Sequence, residues 1–149
     1  MKTINPPLGL LEYLERVGSN AKLYAVPVER DNLALELGCE ESHILQATLV
    51  LRPEAAPRIG VHPWTSACVH GSHERVASPT QTLLLTGYPC AWLPPFGHPH
   101  LLEVTLDPSI LVMPCVWVPG GIAQSWMALE PSELVALTDH TRWSQVFAA

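Results

Sequence analysis

The chain has 149 residues, of which 48% are apolar and 15% are charged, and its formal net charge is −6. This length and composition predict a single folded domain, residues 1–149, with a sizeable core, and they exclude a disordered chain. The eight basic residues are scattered along the sequence. Because binding to a phosphate backbone requires clustered lysine and arginine, autonomous binding of DNA or of another long nucleic acid is disfavoured.

The apolar runs and the cysteines of the sequence indicate in which cellular compartment the protein folds. No apolar run approaches the roughly 20 residues that cross a bilayer, and the first residues lack the apolar core of a signal peptide. We therefore expect a soluble cytoplasmic protein with no membrane partner. The four cysteines, Cys39, Cys68, Cys90 and Cys115, are far apart and form no Cys-x-x-Cys pair, which predicts free thiols rather than a disulfide framework.

The first half of the chain carries both helical and extended patterns. Leu8, Leu11 and Leu14 follow two prolines at helical spacing and predict a helix that ends at Gly18. A strand is predicted over 22–26, a helix over 30–37 followed by Gly38, and a central strand over 44–51 that is broken at 53–57. Between 59 and 76 the pattern favours only one strand, at 67–70.

The second half begins with a clear helix signal. Ser78 and Pro79 form a favourable N-cap and N1 pair, which predicts a short helix over 79–85 capped by Gly87. Strands are predicted over 101–106, 111–118 and 125–129, with Asp107-Pro108 capping a turn. A last helix is predicted from Glu130-Pro131 through Thr138, with 139–149 as a tail. Because helices and strands are mixed without strict alternation, we predict a mixed α+β fold.

The segment Thr86-Gly87-Tyr88-Pro89-Cys90-Ala91-Trp92-Leu93-Pro94-Pro95-Phe96-Gly97-His98, hereafter the 86–98 loop, is unusually stiff. Its three prolines fix φ and remove backbone donors, while its two glycines permit turns that are closed to other residues. Stiff loops on rigid scaffolds often line binding sites, although a purely structural turn has the same composition.

Four sequence words stand in a characteristic order: Leu37-Gly38-Cys39-Glu40-Glu41, Gln46-Ala47-Thr48-Leu49-Val50, the 86–98 loop, and Val116-Trp117-Val118-Pro119-Gly120-Gly121. Together they resemble the YbaK-like aminoacyl-tRNA editing domain, which is similar to the inserted editing domain of bacterial prolyl-tRNA synthetases. The resemblance covers about 8–138. It implies a barrel-like mixed sheet of about six or seven strands surrounded by helices.

The resemblance also implies an activity, namely hydrolysis of amino acids wrongly esterified to tRNA, acting in trans in the service of translation fidelity. The implied partner is the 3′ end of aminoacyl-tRNA, delivered by an aminoacyl-tRNA synthetase or another carrier. No metal and no cofactor are implied. The implied catalytic residues are Gln46 and His98. The implied substrate-binding residues are Gln46, Ala91, Trp92, Pro95, Phe96, Gly97, Gly120, Gly121 and Trp126.

The chain departs from the family pattern at three of these positions. Gln46 stands where the family has a lysine, and it can donate and accept hydrogen bonds but carries no charge. Ala91 replaces the glycine of the family's Gly-x-x-x-Pro motif, and Trp126 falls in a stretch where the family often has Asp or His. These departures support an alternative, a binding module for aminoacyl-tRNA or a protein partner that keeps the fold and lacks catalysis.

Other chemistry remains open at the sequence level. His98 could orient or deprotonate a water, or it could brace the loop by bonding to a backbone carbonyl. Cys90 could act as a nucleophile, although no base adjoins it in sequence. His62, Cys68, His70 and His73 carry zinc-ligand atoms, but at a spacing that fits no standard finger. Gly120 and Gly121 could form a bulge or offer N–H groups to a substrate carbonyl.

Overall fold

The computed structural model describes residues 1–99 and 102–138, and within them no helix is long and apolar enough to span a bilayer. The helices are α1 (Leu8–Val17), α2 (Arg30–Leu37), α3 (Pro79–Thr86) and α4 (Pro131–Leu137). The strands are β1 (Lys2–Ile4), β2 (Leu23–Ala25), β3 (Leu45–Arg52), β4 (Ala55–Pro63), β5 (Arg75–Val76), β6 (Glu103–Leu106), β7 (Val116–Pro119) and β8 (Ser125–Leu129).

The strands of the described ranges form two four-stranded sheets. The first has the order β1-β2-β8-β7 with antiparallel neighbours, and the second has the order β5-β3-β4-β6, in which only β4 and β6 pair in parallel. A single parallel bridge between Ile44 and Trp117 joins the start of β3 to β7. The mixed α+β prediction is confirmed. We expected one sheet of six or seven strands, whereas the described residues contain eight strands in two sheets. No closed barrel is found among these residues, so the barrel-like expectation is not confirmed.

Local signals set the ends of the helices as predicted. Gly18 and Gly38 end α1 and α2 in the left-handed region, with φ of 71° and 68°. Ser78 and Gln81 form a capping box at the start of α3, where the Ser78 side chain accepts from the Gln81 N–H and the Gln81 side chain accepts from the Ser78 N–H. The predicted bounds of all four helices therefore agree with the structure to within a residue or two.

The strand predictions were wrong in the middle of the chain. β4 was missed, because Pro53 and Pro57 indicate a break in the sequence. In the structure the register shifts between Val50 and Arg52, and Pro57 lies opposite that irregularity, where its missing N–H interrupts no regular pair. Residues 67–70, predicted as a strand, have no regular structure.

Three further differences concern short elements. β1 and β5 were not predicted, since strands of three and two residues carry too little pattern. The predicted strand at 111–118 is instead a 3₁₀ turn, Pro108–Val112, followed by β7, and Asp107 caps the turn by accepting from the Ser109 N–H at 2.9 Å. Residue 101, the first of the strand predicted at 101–106, lies outside the described residues, as do residue 100 before it and the tail 139–149.

Alternating side chains separate two apolar clusters on opposite faces of the sheets. The first cluster is the main core, and it includes Leu45, Ala47 and Leu49 of β3 together with residues of both sheets, α1, α4 and the 86–98 loop. The second cluster lies on the other face under α2. Its buried members are Val26, Leu33, Ile44, Trp117 and Trp126. Because side chains alternate along a strand, Gln46 and Thr48 face away from the first cluster.

Candidate functional site

The second half of the 86–98 loop is buried in the main core. Leu93 and Phe96 are members of the first cluster, and the Phe96 ring stacks on Tyr13 with centroids 5.9 Å apart. Gly97 has a φ of 81°, and a Cβ there would lie 2.9 Å from Leu10 Cδ1 and 3.3 Å from its Cα. Only glycine fits this turn without displacing α1, so the loop is fixed in position by packing.

The loop is bonded directly to the turn between β7 and β8. The Gly121 N–H donates to the Trp92 carbonyl at 2.8 Å, and the Gly120 N–H donates to the Ser125 carbonyl at 3.1 Å. A Cβ on Gly121 would meet the Tyr88 ring at 2.7 Å, and one on Gly120 would overlap Leu23. The two glycines therefore allow close backbone approach, and both N–H groups are already used, so the idea that they receive a substrate carbonyl has no geometric support.

Trp92 and Trp126 come together at this junction. Their ring centroids are 5.6 Å apart and their planes meet at 73°, an edge-to-face contact. Trp126 is only 3% exposed, and its indole Nε1 is buried with no hydrogen-bond partner among the described residues. In the stretch where the resemblance implies a polar residue such as Asp or His, position 126 is thus occupied by a buried aromatic ring.

Gln46 lies half-buried on β3, directly across the strand pair from His62. His62 is buried, and its Nδ1 donates to the Pro63 carbonyl at 2.9 Å, which leaves Nε2 to accept from the Thr48 hydroxyl at 2.9 Å. Gln46, Thr48 and His62 therefore form a short polar row on the sheet face that carries the second cluster.

His98 is held as a brace of the loop. Its Nε2 donates to the Pro94 carbonyl at 2.8 Å. The imidazole and the Tyr88 ring meet edge to face, with their centroids 5.7 Å apart. Burial lowers the pKa of His98 from 6.5 to about 4, an effect that the bond to Pro94 partly opposes. A histidine that is neutral to such low pH is a weak base, so the geometry favours the bracing role over proton abstraction.

Ala91 and Cys90 are exposed at the start of the loop's 3₁₀ turn, Cys90–Trp92. Cys90 is a free thiol, as are the other three cysteines. No histidine of residues 1–99 or 102–138 hydrogen-bonds to it, so a nucleophilic Cys90 lacks the base that the chemistry requires. Among the implied substrate-binding residues, Ala91 and Trp92 thus lie at the surface end of the loop, while Pro95, Phe96 and Gly97 are buried within it.

The histidines at 62–73 do not form a metal site. Within the described part of the chain, no group of three or more His, Cys, Asp or Glu side chains is arranged to hold a metal ion. The segment is instead tied down by Arg58, which is 8% exposed and bonds to Glu74, to the Thr105 hydroxyl and to the Val69 carbonyl. The Arg58 guanidinium is the main reason that the pKa of Glu74 falls to about 2.

A surface cavity of about 480 Å³ lies on the outer face of the second sheet and is bounded by Arg52, Arg58, His62, Cys68 and their neighbours. It reaches the polar row at His62, the cross-strand neighbour of Gln46. Neither this cavity nor two further ones, of about 480 and 560 Å³, is lined by any residue implied for the site. The implied residues thus form a packed junction of loop, turn and β3.

One element of this junction was not anticipated from the sequence. Arg30, the first residue of α2, lies with its Cζ 4.1 Å above the ring centre of Trp64, which packs against the second cluster. Nothing in the sequence indicates that Arg30 would meet Trp64 across the 33 positions between them.

Comparisons with known proteins agree with this architecture. Residues 67–137 match the sequence model of the aminoacyl-tRNA editing domain family, so the resemblance drawn from the sequence is confirmed. The match includes the 86–98 loop, both glycines and Trp126, and it begins after Gln46. A search of curated proteins found no match.

Solved structures share the fold at low identity. A candidate trans-editing enzyme for prolyl-tRNA synthetase superposes with a TM-score of 0.77 at 23% identity, over 91% of this chain and 93% of that one. A protein from work on grafting epitopes onto scaffold proteins gives 0.80 at 22% identity, over 91% and 92%. A hypothetical protein gives 0.74 at 23% identity, over 88% and 94%. At this identity the superpositions establish the fold alone.

Proposed function

We propose that this chain, whose residues 67–137 match the aminoacyl-tRNA editing domain, is a deacylase that hydrolyses the ester of mischarged tRNA in trans. The observation that carries the proposal is that the family match spans the 86–98 loop and the glycine turn, which are bonded together through Gly121 and Trp92. In this proposal it acts on a tRNA delivered in the cytoplasm by a synthetase or another carrier, and a candidate trans-editing enzyme for prolyl-tRNA synthetase shares its fold.

In this proposal the ester lies beside Gln46, at the junction of β3 with the loop. Water attacks the ester carbonyl, the bond to the ribose oxygen breaks, and free amino acid and tRNA leave. Gln46 donates from its amide to an oxygen of the aminoacyl ester and accepts from the attacking water or the ribose hydroxyl. Trp92 stacks on the terminal adenine, a contact worth about 1–3 kcal/mol. Pro95, Phe96, Gly97 and His98 keep the loop in place.

The test is release of amino acid from a panel of mischarged tRNAs. We expect the purified protein to deacylate at least one pair faster than buffer alone, and Gln46→Ala to reduce that rate by about tenfold or more, since about 1.4 kcal/mol of lost stabilisation is a factor of ten. No release above buffer across the panel, from protein whose fold is verified, contradicts the deacylase.

A second candidate, a binding module without turnover, is favoured by the burial of Trp126 against Trp92 and by the lack of a free base at His98. It predicts that wild type binds a non-hydrolysable aminoacyl-adenosine without deacylating any tRNA. Gln46→Lys combined with Ala91→Gly should then create activity. Asn20→Lys, on the exposed connection after α1, adds the same charge elsewhere and serves as the control. Activity in wild type would reject this candidate.

A further inference from the structure

Arg30 is a cation without a carboxylate partner beside the proposed site. Its guanidinium lies over the Trp64 ring, and among the described residues it forms no ion pair and no hydrogen bond. By contrast, Arg52 pairs with Glu103 at 3.0 Å and Arg58 with Glu74 at 3.1 Å. In a chain with a net charge of −6, an unpaired and positioned arginine is a candidate contact for an anion.

Trp64 fixes the position of that guanidinium. Trp64 comes immediately after β4, two positions beyond His62, which is the cross-strand neighbour of Gln46. Its backbone N–H donates to the Ile44 carbonyl at 2.9 Å and fixes it there. The ring also packs against the second cluster, as Trp92 does. Arg30 is therefore one side chain away from the cluster in which the proposed adenine contact lies.

The position over the ring suits a phosphate contact. A guanidinium above an indole is held by cation–π attraction, and N–H groups that have no partner in the described residues can bond bidentately to phosphate oxygens. Glu29 and Asp31 flank Arg30 in sequence, but successive helical residues project about 100° apart, and neither pairs with it. Burial against Trp64 lowers the pKa of Arg30, yet it remains far above neutrality, as arginine always does.

A second polar group in the same place lacks a partner. The indole Nε1 of Trp64 is buried with no acceptor in the described ranges. Buried donors are nearly always satisfied, so this exception calls for an explanation. Because the indole donor is enclosed, it does not itself reach a ligand, and the exposed, unpaired guanidinium alone points to a ligand rich in acceptor oxygens.

We propose that Arg30, held on Trp64, binds a phosphodiester of the single-stranded 3′ end of the RNA whose terminal nucleoside enters the site. This inference depends on the proposed function, since that function supplies the RNA end. It assigns Arg30 to the RNA-binding surface next to the ester, as a binding residue rather than a catalytic one.

Two probes separate the phosphate from the nucleoside. The first is the trinucleotide CCA carrying alanine through a non-hydrolysable 3′-amide, and the second is the corresponding alanyl-amide of adenosine, which has no phosphate. We expect Arg30→Gln to weaken binding of the trinucleotide by about tenfold, the loss of one charged hydrogen-bonded contact. Binding of the nucleoside should not change. The slope of log affinity against log salt for the trinucleotide should become shallower by about 0.7.

Arg16→Gln is the matched control. Arg16 is also exposed and lies 5.5 Å above an aromatic ring, that of Tyr13 on α1, away from the second cluster. It should bind both probes as wild type does, and Arg30→Lys should retain part of the salt dependence because it keeps the charge. Trp64→Phe should bind the trinucleotide more tightly than Trp64→Leu, since only the former keeps a ring beneath Arg30.

The outcomes distinguish the two proposals. If wild type binds both probes and Arg30→Gln binds the trinucleotide equally well with an unchanged salt slope, the phosphate contact is refuted while the proposed function stands. If Arg30→Gln weakens both probes alike, Arg30 acts through the nucleoside pocket and the inference also fails. If wild type binds neither probe, nor the matching probe pairs that carry the other amino acids of the panel, the proposed function itself is contradicted, together with this inference.

Discussion

At the scale of single residues, one ring nitrogen of His98 is hydrogen-bonded, whereas the other is buried without a hydrogen-bond partner in the described residues. Nε2 donates to the Pro94 carbonyl, and Nδ1 is buried without a partner in the described part of the chain. Protonation would place a charge in an apolar surrounding between the loop and Tyr88, which is why its pKa falls to about 4. We expect the ring resonances of His98 in NMR spectra to change near pH 4 instead of pH 6.5.

The same shift has a consequence for stability. Because the folded pKa lies below the unfolded value of 6.5, the unfolded chain binds an extra proton between those values. Stability from this group is therefore full above pH 6.5 and is lost as the pH falls towards 4, by about 3 kcal/mol in all. Denaturant unfolding at pH 7 and pH 4.5 measures it. His98→Gln, whose amide can also donate to Pro94, should show a shallower pH dependence; an equal dependence would refute the assignment.

At the scale of elements, the contact between the 86–98 loop and the β7–β8 turn depends on Gly121. It has a φ of 87° and lies against the Tyr88 ring, whereas Gly38 at the end of α2 has a φ of 68° and open space around it. We expect Gly38→Ala to lower the free energy of unfolding by about 1 kcal/mol, from backbone strain alone, and Gly121→Ala by about 3 kcal/mol, from strain and overlap. Urea unfolding of both variants gives the comparison, and equal losses would show that the overlap relaxes freely.

The elements also show what sequence can predict. The ends of α1, α2 and α3 were predictable because Gly18, Gly38 and Ser78 act on their own neighbours in the chain. β4 was not, since its strand character comes from pairing with β3 and β6, and Pro57 is tolerated only because a register shift in β3 lies opposite it. Local signals thus gave the helices, and long-range pairing decided the strands.

The candidate site follows the same division. The loop and the glycine turn could be identified from Gly97, Gly120 and Gly121, because glycine in such segments indicates a positive φ or a close backbone approach that other residues do not allow. The stacking of Arg30 on Trp64 and the closure of Trp126 against Trp92 could not, because each joins side chains far apart in sequence whose directions depend on sheet pairing.

At the scale of the whole molecule, the first cluster joins both sheets, the helices α1 and α4 and the loop into one core. The second cluster contains or contacts Trp64, Trp92, Trp117 and Trp126; Trp143 lies outside the described residues. Tryptophan fluorescence therefore reports mainly on one face of the sheets, while far-UV circular dichroism reports on the helices. We expect both signals to change in one coincident transition during urea unfolding, because β7 and β8 contribute residues to both clusters.

A core variant tests that expectation further. Leu49 on β3 is 1% exposed in the first cluster, and Leu49→Ala should lower stability by about 2–5 kcal/mol. The fluorescence midpoint should fall as far as the dichroism midpoint, although no tryptophan belongs to that cluster. Separate midpoints would mean that the two faces unfold independently.

The edge-to-face pair of Trp92 and Trp126 constrains how this sequence can evolve. Each ring bounds the space that the other occupies, so replacing either one alone leaves a void beside the ring that remains. A charged residue could enter position 126 only after the ring at 92 had become smaller, since otherwise the charge would be buried without a partner. The order of substitutions then matters, an instance of epistasis, and a chain that carries both tryptophans cannot easily accept a charged residue at position 126 in a single step.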